Sequence, residues 1–297
     1  MKDRDNGFSL EMPKVGIIKG VLAKDIEIVG GKVVNLRTCS RPYSNIYSVA
    51  QLRTIKRVTE RYGSGKVHLS PRHNLEIPEV KQKELDNALK ELYIAGLFPG
   101  GAGASVRNIF TCPDWCSKSM RPVQELGKVV STYFGDRDMP NKVTISFAGC
   151  YNCCSRPHNT DIGIIAVGRL GVSGGRCKND CLECIKVCPF GAMEKKDGHI
   201  KINDGCTDCG KCIDACDDDI LRLKETGFRV FIGGKEGSTV MFGKEYSGFV
   251  DDFEVMEIIE RVLNNYQKKV ALREGSRKKK ERLGEVVERL GLDSFMS

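Results

Sequence analysis

The chain has 297 residues, 40% of them hydrophobic and 29% charged, with a formal net charge of +8. That length leaves room for two or three units, and no apolar run reaches the length of a membrane span. Fourteen cysteines behind the charged start Met1-Lys2-Asp3-Arg4-Asp5 argue against a secreted disulfide framework and for metal binding in a reducing, oxygen-poor cytoplasm. The basic excess gathers at Lys268, Lys269, Arg273, Arg277, Lys278, Lys279, Lys280 and Arg282. So short a run reads as a solvated helix or loop face, not a nucleic-acid site.

Residues 1–30 carry little pattern, and residues 33–37 read as a strand. A helix is predicted over Val49–Tyr62, with Leu52, Ile55 and Val58 on one face and Gly63 past its end. Residues 66–69 and 75–77 read as strands, with His68 half-buried and structural and Pro78 closing the second. An amphipathic helix over 80–95 stops at Gly96. Strand, helix, two strands and helix in this order imply a split, ferredoxin-like α+β unit. A glycine-rich stretch from Gly100 then leads through Val106-Arg107-Asn108-Ile109 to Cys112-x3-Cys116. Residues 111–122 read as a loop and 123–134 as a helix.

Residues 142–147 alternate as a strand and run into Ala148-Gly149-Cys150-Tyr151-Asn152-Cys153-Cys154-Ser155-Arg156-Pro157. Gly149 permits a sharp turn, so the thiols fall at a strand end, where open sheets tend to place ligands. Thiolates crowded there are metal ligands more often than packing residues. A zinc knuckle is the competing reading, but it would expect a second close pair, usually with histidine. Another strand covers 162–167, and His158 between them reads as a polar loop residue.

Composition shifts from Gly174-Gly175 to about Leu223. Cys177-x3-Cys181-x2-Cys184-x3-Cys188-Pro189 is followed by Cys206-x2-Cys209-x2-Cys212-x3-Cys216. This is the bacterial two-cluster ferredoxin spacing with one extra residue between the first two thiols. Zinc usually takes separated pairs instead. The first cluster should take Cys177, Cys181, Cys184 and Cys216, and the second Cys206, Cys209, Cys212 and Cys188. The acidic residues Asp214 and Asp217-Asp218-Asp219 read as a solvated face able to steer a donor protein. Residues 228–232 form a strand that ends in Gly233-Gly234-Lys235. Helices over 253–266 and 281–290 cover the sheet, with Val255, Ile258, Ile259 and Val262 in the core.

From about Val33 to Leu292 the chain resembles the sirohaem-dependent sulfite and nitrite reductases. The resemblance rests on Gly149-Cys150-x3-Cys154-Ser155-Arg156-Pro157, the upstream cysteine pair, the glycine-rich lead to Arg107 and the Gly-Gly-Lys turn. It is similar to the small ferredoxin-containing members, the anaerobic sulfite reductase catalytic subunits and dissimilatory-type relatives. The fold so implied is α+β in three parts. These are a ferredoxin-like half-domain (1–105), a sirohaem/[4Fe-4S] domain (106–173 and 224–297) and an inserted two-[4Fe-4S] ferredoxin domain (174–223).

The resemblance also implies roles. Cys112, Cys116, Cys150 and Cys154 hold a [4Fe-4S] cluster, and Cys154 bridges it to sirohaem. The family spaces its upstream pair by five residues and this chain by three, and Cys153 is a fifth thiol, so the ligands are four of five. Arg37, Arg72, Arg107 and Lys142 fall where the family has catalytic cations. Arg72, Arg107, Asn108, Arg156, Gly233, Gly234 and Lys235 fall at cofactor contacts. Fixed cations suit a carboxylate-rich ring and an oxyanion substrate. Sulfite-reducing members commonly have a second lysine where Thr144 stands here, which leaves nitrite or another small substrate open. One copy of the family's repeat is visible, so a second chain, most simply in a homodimer, is expected. The alternatives are a sirohaem or iron–sulfur electron carrier without turnover and a zinc- or cluster-bearing nucleic-acid-binding protein.

Overall fold

The computed structural model describes residues 21–28, 31–40, 45–70, 74–100, 103–178, 181–216, 220–272 and 280–296. Arg72, Asp217-Asp218-Asp219 and residues 273–279 of the basic run lie outside the described residues.

The N-terminal unit runs β1 (Val21–Ile28), β2 (Gly31–Ser40), α1 (Val49–Tyr62), β3 (His68–Leu69), β4 (Leu75–Lys81), α2 (Leu85–Ile94) and β5 (Leu97–Pro99). Its antiparallel sheet has the order β1-β2-β4-β3, with β5 pairing the end of β2. Ser48 and Gln51 close a capping box on α1, whose Ile55, Val58 and Tyr62 pack on Leu36, Ile77 and Val80. Leu52 does not share that face; it is exposed, and Thr54 and Thr59 are buried instead. Pro78 does not end β4 as the sequence reading expects. Val34 pairs with Val80 but Leu36 with Ile77, so Pro78 and Glu79 form a bulge opposite Asn35. A bulge spares proline a ladder hydrogen bond it cannot donate. Glu79 takes φ 58°, and its N–H donates to Asn35 Oδ1 at 3.2 Å. Strand therefore continues through residue 81, and α2 starts later than expected.

The C-terminal unit contains β6 (Val106–Thr111), α3 (Gln124–Phe134), β7 (Val143–Ala148) and β8 (Ile162–Val172). After α4 (Glu183–Lys186), β9 (Met193–Lys196), β10 (His199–Ile202) and α5 (Lys211–Asp214), it resumes with β11 (Leu221–Ile232), β12 (Lys244–Val250), α6 (Asp252–Lys269) and α7 (Leu283–Leu290). The sheet order is β12-β11-β8-β7-β6; β6, β7 and β8 are parallel, and β11 and β12 antiparallel. Strand alternation divides the faces. Ile145, Phe147, Ile162, Ile164, Phe228 and Val230 meet α3, α6 and α7 in the main core. Ala148, Ile165, Val167 and Phe231 point the other way and pack on Cys112, Tyr151 and Cys153. Helices thus cover one face, and the cysteine loops cover the other.

The segment between β8 and β11 leaves the sheet where Val172 pairs with Leu221. It folds around Cys184, Met193, Ile200, Cys212 and Ile220, with β9 and β10 as a small hairpin.

Candidate functional site

Cys112 follows β6 and Cys150 follows β7, so both cysteine loops emerge at the C-terminal ends of adjacent parallel strands. The Cys112 N–H donates to Phe147 O at 2.9 Å, and the Met120 N–H to Gly149 O at 2.7 Å, which fastens one loop to the other. Burial holds the Cys150 thiol above its ordinary pKa; an N–H from Asn152 opposes this, and nearby Cys112, Cys116 and Cys154 add to it. Burial likewise pushes Cys153 up to about 12, and its φ of 53° turns the chain between its neighbours. Cys154 is exposed, whereas the other four thiols are partly covered. Among the described residues no three His, Cys, Asp or Glu side chains converge as one metal ion requires. A cubane makes a different demand, because its four thiolates stand at separate corners. Four neighbouring thiols, one of them facing outward, fit that demand.

The inserted unit gathers its thiols in two sets. Burial raises Cys184, and Cys177, Cys216 and Cys181 are the neighbours that add to the effect. Burial pushes Cys212 up to about 12, with Cys209, Cys206 and Cys188 around it. Each set therefore takes three thiols from one run and the last thiol of the other. A cavity of about 360 Å³ separates the second set from the body, lined by Cys209 and Gly210 on one side and Cys150 and Tyr151 on the other. The Gly168 N–H donates to Asp208 O at 2.8 Å, and Arg229 Nη2 to Cys206 O at 3.1 Å, which docks the unit at this seam.

A second cavity, of about 140 Å³, is lined by Lys142, Thr144, Arg156, Asn159, Glu236 and Arg282 with Phe110 and Thr160. Arg156 holds φ 54°, the left-handed turn by which the chain leaves the cysteine loop, and its Nη1 lies 3.6 Å from Glu236. Two expected cations are placed elsewhere. Arg37 Nε donates to Glu76 Oε1 at 2.7 Å in the N-terminal sheet, and His68 Nδ1 meets Glu76 Oε2 at 2.8 Å. His68 itself is exposed, not half-buried. Burial raises the Glu76 carboxyl, but the bonds from His68 and Arg37 outweigh it and hold the pKa low. Arg107 donates to Gly103 O at 3.3 Å, and Asn108 is buried and accepts from Asn74 Nδ2 at 2.8 Å.

The Gly-Gly-Lys turn has its own packing reasons. Gly233 has φ +90° and lies against Gly284 and Val287 of α7. A Cβ on Gly234 would stand 2.4 Å from the carbonyl oxygens of His158 and Thr160. Lys235 is buried and donates to Glu285 Oε1 at 2.8 Å.

Arg282 was expected on a solvated face and is instead buried. Its Nη2 donates to both oxygens of Asp161 at 2.8 Å, and the Thr144 N–H and Oγ1 donate to Asp161 Oδ2 at 2.8 Å. Glu285 Oε2 accepts the Arg282 N–H at 2.8 Å, so Lys235, Glu285, Arg282, Asp161 and Thr144 form one chain of charge-assisted bonds. No local signal marks Arg282, since it sits in a run of surface-type cations.

Thiol sets of this kind are the make-up of iron–sulfur redox proteins. The family description "Nitrite and sulphite reductase 4Fe-4S domain" matches residues 102–297, and "Nitrite/Sulfite reductase ferredoxin-like half domain" matches 38–93. The chain belongs to the nitrite and sulphite reductase family, a family of oxidoreductases. It is 30% identical over 253 residues to the coenzyme F420-dependent sulfite reductase of Methanocaldococcus jannaschii, matching 84% of this chain but only 40% of that one. With the beta subunit of the dissimilatory-type sulfite reductase of Nitratidesulfovibrio vulgaris it shares 25% identity over 306 residues, 90% of this chain and 77% of that one. The crystal structure of dissimilatory sulfite reductase I superposes with TM-score 0.70 at 19% identity, over 90% of this chain and 68% of that one. That likeness is one of fold. No helix among the described residues is long and apolar enough to cross a membrane.

Proposed function

We propose that this chain is the catalytic subunit of an enzyme that reduces a small oxyanion, sulfite to sulfide or nitrite to ammonia. The observation that carries this reading is the juxtaposition of five thiols at the ends of β6 and β7 with a small cavity walled by Lys142, Arg156 and Arg282. Sirohaem bound beside Cys154 would supply the iron that takes the substrate and the conjugated ring that passes electrons to it.

The chain's own residues have distinct tasks. Cys112, Cys116, Cys150 and Cys154 would hold the adjoining [4Fe-4S] cluster, and Cys154 is the exposed thiol of the set. Cys188, Cys206, Cys209 and Cys212 would hold the cluster nearer the body, because Cys209 and Cys150 border one cavity. Cys177, Cys181, Cys184 and Cys216 would hold the outer one, which would supply one-electron redox chemistry on the side open to a donor protein or subunit. Lys142 and Arg156 bind the oxyanion's charge, whereas Arg107, on β6, is not in the lining of that cavity. Lys142 can release a proton to a departing oxygen, which a guanidinium cannot. The remaining copy of the site arrangement comes from a second chain; relatives are named as subunits, and light scattering of the holoprotein should report a dimer or larger, not a monomer.

A second reading, an electron carrier without turnover, is favoured by Thr144, an uncharged side chain tied to Asp161 in the cavity wall. Anaerobic assays with reduced methyl viologen separate the two. Viologen oxidation dependent on sulfite or nitrite supports the enzyme, with the faster substrate naming the anion. A protein that carries its cofactors and oxidises viologen with neither anion sinks it.

A further inference from the structure

We infer that Arg282 is an anion-binding residue of the cavity shared with Lys142 and Arg156, where it takes an oxyanion or a carboxylate. The inference rests on the proposed function and extends it to a residue from the far end of the chain. A buried guanidinium has five N–H donors to satisfy and tolerates burial only when paired. Arg282 uses Nη2 alone on Asp161, and its Nε–H has no partner among the described residues, although the residue is 8% exposed. Asp161, fully buried, is meanwhile supplied with donors by Thr144 as well as by Arg282. The ion pair is therefore saturated on the acid's side and incomplete on the base's side. A second acceptor would complete it.

The cavity supplies the place and the charge. Lys142, Arg156 and Arg282 line it; Glu236, the acidic residue of the lining, lies 3.6 Å from Arg156 and accepts from Asn159 Nδ2 at 3.0 Å. A volume of about 140 Å³ accommodates a handful of water-sized groups. That suits a four-atom oxyanion or one carboxylate arm and is far too small for a tetrapyrrole. The bonds from Nη2 to both oxygens of Asp161 hold the guanidinium in place before any guest arrives.

The two sources of such an anion, free substrate and a carboxylate of the bound ring, give different results in one experiment. Arg282→Gln and the charge-balanced double variant Arg282→Gln/Asp161→Asn are purified anaerobically beside the wild type. Ring absorbance is recorded, and sulfite binding is measured by calorimetry. The double variant removes both charges of the pair, so it remains informative if the single variant fails to fold. Sulfite affinity reduced about tenfold or more, with ring content unchanged, assigns Arg282 to the substrate, since lost charge-assisted hydrogen bonds are worth about that much. Loss of the ring with the iron–sulfur absorbance intact assigns it to a ring carboxylate. A folded double variant with wild-type ring content and sulfite affinity overturns the inference and leaves the proposed function standing. A wild type without the ring defeats the proposed function instead; Arg282 then survives as an anion site only if sulfite binding still falls in the variants.

Discussion

His158 follows the cysteine loop in the turn Pro157–Asn159, its ring edge-on to Phe231 with centroids 4.6 Å apart. Burial holds its imidazole below the ordinary 6.5, against a weaker upward pull from Glu245. The unfolded chain therefore takes up this proton before the folded one does. Its contribution to stability is fully present above about pH 6.5 and is lost as pH falls through that value toward the lower folded pKa. The melting temperature of the anaerobic protein should drop between about pH 7.5 and about pH 5.5, and drop less in His158→Gln. Equal drops in the two proteins would place the dependence in other groups. At this scale the thiols were legible because residue type and spacing together carry their chemistry. Arg282 was not, because its burial comes from Asp161, 121 residues away in sequence. Reading along β7 finds an uncharged Thr144 where a lysine is expected, while the fold brings a guanidinium to the same wall from the N-terminus of α7.

The turn after β11 carries a second lesson, at the scale of elements. Gly233-Gly234-Lys235 reads as a cofactor loop in sequence, yet each residue has a partner within the protein. Gly234 lets the turn approach the backbone of residues 158 and 160, and an added Cβ would meet two carbonyl oxygens at 2.4 Å. Those atoms belong to the backbone and cannot rotate away. Gly234→Ala should cost about 1–3 kcal/mol by denaturant midpoint, the ordinary range for overpacking. Gly237→Ala, with open space around its Cα, should be close to neutral. Equal effects of the two would mean that the turn does not pack as described. Elements with strong period and clear ends, such as α1 and the β7 strand, were readable to within a residue. Pro78 misled because a bulge admits proline inside a strand, and a bulge is fixed by register with β2, which sequence alone does not contain.

Across the whole molecule, the segment between β8 and β11 meets the central sheet at one seam. The β8–β11 hairpin belongs both to the central sheet and to the root of the inserted unit, so the strands that bury Ile164 and Val230 also aim the inserted thiols at the Cys150 loop. The ferredoxin-like half and the reductase-type sheet were legible as patterns of elements, and the family match spans both. The closeness of the second thiol set to the Cys150 loop was not, because it depends on how the insert folds back, held by Arg229 at Cys206 and Asp208. The central claim is that these thiols serve a tetrapyrrole at the exposed Cys154. It is tested most directly by the absorption spectrum of protein purified without oxygen. The account predicts sirohaem bands over the broad iron–sulfur absorbance, whereas iron–sulfur absorbance alone in fully loaded protein would contradict it.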